Sequence, residues 1–126
     1  MTSILIVEDD IDLVETYTDL LESRDFKVSS VHRAADAIRV LGRVRPDVII
    51  LDLNLPGELG VIVISFVRNL EGSQDIKIIV ATGYPEIIQK TGYINSKIDG
   101  ILTKPISTST LLQAIDDLAL SDAKAS

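Results

Sequence analysis

Val48-Ile49-Ile50-Leu51-Asp52-Leu53-Asn54-Leu55-Pro56-Gly57 is the stretch on which the reading of this chain turns. Four apolar residues, three of them β-branched, run without a polar break into one aspartate, and a Pro-Gly pair follows. A continuous apolar run bounded by turn residues reads as a strand covered on both faces, as in the middle of a parallel sheet. The carboxyl end of such a strand is where open α/β sheets place their ligands. Asp52 therefore stands where chemistry is usually done, and the other candidates are residues that could meet it there.

Length and composition bound the alternatives. The 126 residues suit one domain burying roughly two-thirds of its unfolded surface. Apolar content of 46% and charged content of 25% are those of an ordinary globular domain. No apolar run approaches the roughly 18 residues of a membrane span, and neither a signal segment nor a lipidation motif is visible. The absence of cysteine rules out a disulfide framework and a thiolate metal site, and fits a cytoplasmic protein. With twelve basic residues against nineteen acidic ones the net charge is −7, which argues against direct nucleic acid binding, because phosphate contacts need clustered Lys and Arg.

In chain order, strands and helices alternate. Ser3-Ile4-Leu5-Ile6-Val7 is a buried-strand pattern that runs into Glu8-Asp9-Asp10. A helix capped by Asp10 or Asp12 carries Leu13, Val14, Tyr17, Leu20 and Leu21 and fades at 23–25. A weaker strand at 26–31 is placed nearer a sheet edge. Ala34, Ala35, Ile38 and Leu41 mark a second helix, closed by Gly42 and Pro46. After the Asp52 strand, Val61-Ile62-Val63-Ile64 has strand propensity, yet Phe66, Val67 and Leu70 continue at helical spacing, so 59–70 is read as helix. A fourth strand at 76–81 ends at Thr82-Gly83, a short helix is expected at 86–93, and a fifth strand at 101–103 leads to Lys104-Pro105. Ser107 can cap a last helix carrying Leu111, Leu112, Ile115 and Leu118. Residues 1–120 form one domain in this reading and 121–126 a frayed polar tail. Each pair of strands is spaced for a helical crossover, as parallel pairing demands. The expected fold class is α/β, a doubly wound five-stranded parallel sheet with helices on both faces.

The carboxyl ends of those strands share one edge. They bring Glu8, Asp9 and Asp10, then Asp52, Thr82 and Lys104 to one crevice. Packed carboxylates repel unless a cation neutralises them. Oxygen ligands without His or Cys suit a hard ion, Mg²⁺ above others, which keeps waters for a phosphoryl group. A lysine and a hydroxyl beside such an ion can hold phosphoryl oxygens, and an aspartate can itself be the nucleophile, forming an acyl phosphate.

Four pieces, Ile6-Val7-Glu8-Asp9-Asp10, Ile50-Leu51-Asp52-Leu53-Asn54-Leu55-Pro56-Gly57, Val80-Ala81-Thr82-Gly83 and Leu102-Thr103-Lys104-Pro105, stand in order at the right strand ends. Over nearly its whole length the sequence resembles a receiver domain of the two-component response-regulator family. The resemblance implies a flavodoxin-like strand order, 2-1-3-4-5, for which a receiver protein is itself a standard example. It implies that Asp52 accepts a phosphoryl group from a histidine kinase or phosphotransfer protein and that self-dephosphorylation follows, the chain not being an enzyme otherwise. Asp9, Asp52 and the backbone carbonyl of Asn54 would ligate Mg²⁺, with Glu8, the longer acid, acting through a water. Lys104 would pair with Asp52 and then with the phosphoryl oxygens, and its bond to Pro105 is cis in the family. Thr82 would swing its hydroxyl onto the phosphoryl group, and the surface near the fourth helix and fifth strand would switch.

The sequence departs from the family at its signalling positions. Ile101 replaces the usual aromatic, Leu59 precedes Gly60 in place of an Asp, Gly83 follows Thr82 in place of alanine, and Lys97-Ile98 replaces a Gly-Ala pair. Ile101 is too short to sweep much surface, so the loop at 82–93 is expected to carry most of the signal. The last helix has Asp116 and Asp117 and no Lys or Arg from Thr108 to Leu120, so no charge-paired dimer is expected there, only a monomer or weak dimer. Bland readings stand beside these: His32 as a solvated side chain, Tyr17 and Phe66 as core, Tyr84 and Tyr93 as loop residues first and partner contacts second. Two rival functions stay open, a pseudo-receiver that is never phosphorylated and an aspartate-dependent phosphohydrolase, the latter weakened by Asn54 where a second Asp is needed.

Overall fold

β3 (Val48–Asp52) is buried at all five positions and lies in the middle of the sheet, as a run of Val, Ile and Leu without a polar break requires. The computed structural model describes residues 2–53, 60–84, 92 and 96–125, with the side chains of 119–125 excepted. β3 pairs on one side with β1 (Ser3–Val7) and on the other with β4 (Lys77–Thr82). β2 (Lys27–Val31) and β5 (Gly100–Thr103) form the edges, where their burial is partial. The order is β2-β1-β3-β4-β5 and all pairings are parallel, the doubly wound arrangement that the resemblance implies.

Because side chains alternate across a strand, the sheet feeds two cores. Ile4, Ile6, Val48, Ile50 and Ile79 meet Val14, Tyr17 and Leu21 of α1 (Ile11–Glu22) and Leu111 and Ile115 of α4 (Thr108–Ala125). Leu5, Val7, Ile49, Leu51, Ile78 and Val80 meet Ala34, Ala37 and Leu41 of α2 (Ala34–Leu41) and Val63, Ile64 and Val67 of α3 (Val61–Asn69). Tyr17 is core, as expected, and Phe66 packs on the second cluster while remaining partly accessible. Ala35 differs from expectation: it is exposed, and Ala37 takes the inward position, since 34, 37 and 41 make the stripe that faces the sheet.

Local chemistry sets the boundaries. Asp10, not Asp12, caps α1, its carboxylate accepting the Leu13 amide at 3.2 Å. Asp25, at φ 68, and Gly72, at φ +80, take the left-handed turns before β2 and β4. Ser107 Oγ accepts the Thr110 amide at 3.1 Å at the start of α4. That helix runs to Ala125, past the end expected near Leu120, because Ser121-Asp122-Ala123-Lys124-Ala125 contains no breaker. The strand-like Val61-Ile62-Val63-Ile64 is helical: β3 and β4 are parallel, and a crossover between them overrides local propensity. The helix expected at 86–93 lies outside the described residues.

Arg68, in the last turn of α3, clamps the far end of the fold. Its guanidinium donates to the carbonyls of Lys97 and Ile76, each at 2.8 Å, and to Asp99 Oδ2 at 3.0 Å. Asp99 Oδ2 also accepts the Ile78 amide at 2.8 Å, so one ion pair ties α3 to β4 and to the approach of β5. Both side chains are largely buried, at 16% and 28% exposure. Removing one partner of such a pair leaves the other desolvated and unpaired. Arg68→Leu is expected to lower stability by about 2–4 kcal/mol and to speed amide exchange in β5. A denaturation midpoint equal to the parent's would overturn this.

Candidate functional site

Registry alone begins to assemble the site. Val7 lies opposite Leu51, so Glu8 and Asp52 leave the sheet side by side. Asp52 lies opposite Ala81 and Thr82 opposite Thr103, and the Lys104 amide donates to the Thr82 carbonyl at 2.8 Å. Residues 8, 52, 82 and 104 thus reach one edge of the sheet, through the ends of four strands.

The side chains then fall into two sets. Glu8, Asp9 and Asp52 each offer a carboxylate oxygen, and these oxygens lie within 4.8 Å of one another. Glu8 and Asp52 are nearly inaccessible, at 3% and 4% exposure, while Asp9 is open to solvent. Lys104 Nζ reaches between the two buried acids, donating to Glu8 Oε2 at 2.8 Å and lying 3.4 Å from Asp52 Oδ2. The pairing with Asp52 is present as expected, but Glu8 is the nearer partner. Thr82 is buried at the end of β4, its Oγ1 accepting the Tyr84 amide at 3.0 Å. The Lys104–Pro105 bond is cis. Asn54 lies outside the described residues, and Asp10 is occupied as the cap of α1.

The electrostatics follow from crowding two buried acids around one ammonium. Burial pushes the Glu8 carboxyl up to about 7 against the hydrogen bond from Lys104, and the negative charge of Asp52 adds to the rise. Burial by itself would lower Lys104, but the hydrogen bond and charge of Glu8, with Asp52 behind it, outweigh that and raise it. One lysine therefore does not compensate the pocket. Three clustered carboxylates with no nitrogen or sulfur donor make an all-oxygen set that fits a hard divalent cation.

Three further residues shape the site in ways the sequence did not show. Gly60 lies against the end of β3: a Cβ there would sit 2.7 Å from the Asp52 carbonyl oxygen and 2.9 Å from Leu53 Cα. His32 is exposed as a side chain but not merely solvated. Its Nδ1 lies 3.0 Å from the Glu8 carbonyl oxygen, and since a carbonyl only accepts, Nδ1 carries the proton and braces the Glu8 backbone. Tyr17 lies in the field of Lys104, Glu8, Asp10 and Asp52, and burial raises its phenol above the ordinary value. Pairwise spacing carries no signal for any of these contacts, which come from three different elements.

Comparison with known proteins agrees with this geometry. The chain is 31% identical over 115 residues to the sensory transduction protein RegX3 of Mycobacterium tuberculosis, covering 91% of this chain and 49% of that protein. It is 28% identical over 115 residues to the transcriptional regulatory protein PrrA of Mycobacterium leprae, covering 91% and 48% respectively. The chain thus spans about half the length of the curated relatives it matches. In structure it is similar to the chemotaxis response regulator CheY4 of Vibrio cholerae, with a TM-score of 0.85 at 26% identity over 94% of this chain and 98% of that one. The receiver domain of the sensor histidine kinase PA1611 from Pseudomonas aeruginosa, described with a magnesium ion coordinated in its active site cleft, shares the fold at a TM-score of 0.83 and 24% identity over 93% of this chain and 96% of that one. No helix among the described residues is long and apolar enough to cross a membrane. The response regulator receiver domain profile matches residues 4–116, and the chain belongs to that family of two-component signalling domains.

Proposed function

We propose that this domain takes a phosphoryl group from the phosphohistidine of a histidine kinase or phosphotransfer protein onto Asp52, in an Mg²⁺-dependent reaction. The observation that carries the reading is the cluster of Glu8, Asp9 and Asp52 with Lys104 inserted between its two buried members. An Asp52 carboxylate oxygen attacks phosphorus, the P–N bond breaks, and its electron pair returns to the imidazole of the donor. The product is an aspartyl phosphate. Lys104, already 3.4 Å from Asp52, would follow the incoming phosphoryl oxygens. Thr82, whose Oγ1 accepts the Tyr84 amide, would turn its hydroxyl toward the same group. Asp9, Asp52, the Asn54 carbonyl and, through water, Glu8 would hold the Mg²⁺, which supplies charge neutralisation for carboxylates and phosphoryl oxygens that would otherwise repel. Hydrolysis of the aspartyl phosphate would reset the domain.

The test is intact-mass measurement after incubation with a small acyl phosphate. A single phosphoryl adduct should form with Mg²⁺ and disappear in excess chelator. Modification that proceeds equally in chelator would overturn the reading, and a complete lack of modification by either an acyl phosphate or a phosphorylated histidine domain would favour a pseudo-receiver. The relative named a transcriptional regulatory protein supports transcriptional control as the output of the signal.

A further inference from the structure

α3 carries more apolar surface than the fold uses. Val61-Ile62-Val63-Ile64-Ser65-Phe66-Val67 is apolar around nearly the whole helix, and a helix of that kind is normally covered on more than one side. The sheet takes Val63, Ile64 and Val67. On the other side, Ile62 (39% exposed), Ser65, Phe66, Asn69 and Leu70 join Ile38 of α2 to line an open groove of about 410 Å³. None of the residues in the phosphorylation site lines it.

The stretch of chain that brings Ile38 to the groove has the reverse of the protein's charge. Residues 33–45 hold four of the twelve basic residues, all arginine, and one of the nineteen acidic ones, in a chain of net charge −7. Arg39 follows Ile38 on α2, and Arg43 stands just past the Gly42 cap that ends the helix. Arg39 meets Asp36 at 3.4 Å, with both side chains well exposed at 71% and 44%, a pairing that water and salt screen and a competing carboxylate can displace. On the α3 side the lining is uncharged, with Asn69 turned onto the Ser65 carbonyl.

We propose that the α2–α3 groove docks an acidic amphipathic helix of a partner protein, its apolar face over Ile38, Ile62, Phe66 and Leu70 and its carboxylates against Arg39 and Arg43. An apolar helix face laid into such a groove is a recurrent mode of recognition, and complementary charge sets orientation and partner choice.

The probe is a synthetic helical peptide with leucines at i, i+3, i+4 and i+7 and glutamates elsewhere, with a lysine-for-glutamate twin as control. Titrated into the isotopically labelled full chain, the acidic peptide should shift the Ile38, Ile62, Phe66 and Leu70 signals saturably and bind about tenfold more tightly than its basic twin. The net charge of the protein predicts the opposite preference, so the outcome is decisive. Arg39→Glu and Ile62→Gln, both at accessible positions, should each weaken binding about five- to tenfold while leaving acyl-phosphate modification unchanged. Tighter binding of the basic peptide, shifts mapping to another face, or no saturable shift at millimolar peptide would overturn the proposal. Concentration-dependent shifts of the same residues without peptide would overturn it in favour of a second copy of this chain.

Discussion

Asp52→Asn is expected to give a folded protein that takes up no phosphoryl group. The substitution keeps shape and volume but removes the nucleophilic oxygen, so acyl-phosphate modification should fall at least about a hundredfold. The fold should not suffer. Asp52 is a buried acid in the field of Glu8, and its charge helps to hold the Glu8 carboxyl as high as about 7. With that charge gone, Lys104 retains its 2.8 Å bond to Glu8 and pairs with one acid instead of sharing itself between two. Glu8 should therefore titrate lower in the metal-free variant, and metal-free stability should stay level or rise by up to about 2 kcal/mol. Denaturation in chelator, with carboxyl titration by NMR, reads both effects. Modification at the parental rate would remove Asp52 from the mechanism, and a loss of stability would show that its charge holds the pocket together rather than straining it.

Gly60→Ala is expected to meet closer contacts than any other glycine-to-alanine substitution among the described residues. The added carbon would approach the Asp52 carbonyl oxygen at 2.7 Å, Leu53 Cα at 2.9 Å and the Leu53 carbonyl oxygen at 3.2 Å. All three are backbone atoms, so no side chain can swing away. Either the end of β3 or the start of α3 has to move, at about 2–4 kcal/mol. Because the displaced atoms belong to Asp52, the proposed phosphoacceptor, and to its neighbour, the rate of phosphorylation should fall with stability. Gly83→Ala is the control: nothing lies within 4 Å of the carbon it would add, and its effect should stay within about 0.5 kcal/mol. Equal denaturation midpoints for the two variants would show that the close approach at Gly60 is readily relieved.

Much of this architecture is legible residue by residue. The unbroken run from Val48 to Leu51, short and closed by Pro-Gly, reads as a strand with two covered faces, and the weaker pattern at 26–31 marks an edge. An acid, a hydroxyl or a lysine placed directly after an apolar run is visible without any coordinates, because the chain delivers each to the end of its own strand. That is why Glu8, Asp9, Asp52, Thr82 and Lys104 could be named from sequence, and why the family could be too. Local patterns settle local questions: strand or helix, cap or turn, inside or outside.

What the tertiary structure decided are the questions between elements. The helical spacing of Phe66, Val67 and Leu70 already marks Val61 to Ile64 as helix against their strand propensity, and the parallel crossover between β3 and β4 is what requires it. Lys104 leans further toward Glu8 than toward Asp52 because registry sets both acids at the same edge and one ammonium must serve the pair. Gly60 is demanded by the backbone of β3, His32 by the carbonyl of Glu8, and Arg68 by carbonyls and a carboxylate from two other segments. Each of these contacts joins residues at least seven positions apart, through distances that exist only once the sheet has ordered its strands. Helical and strand periodicity encode which way a side chain faces, but not which residue from elsewhere in the chain it will meet.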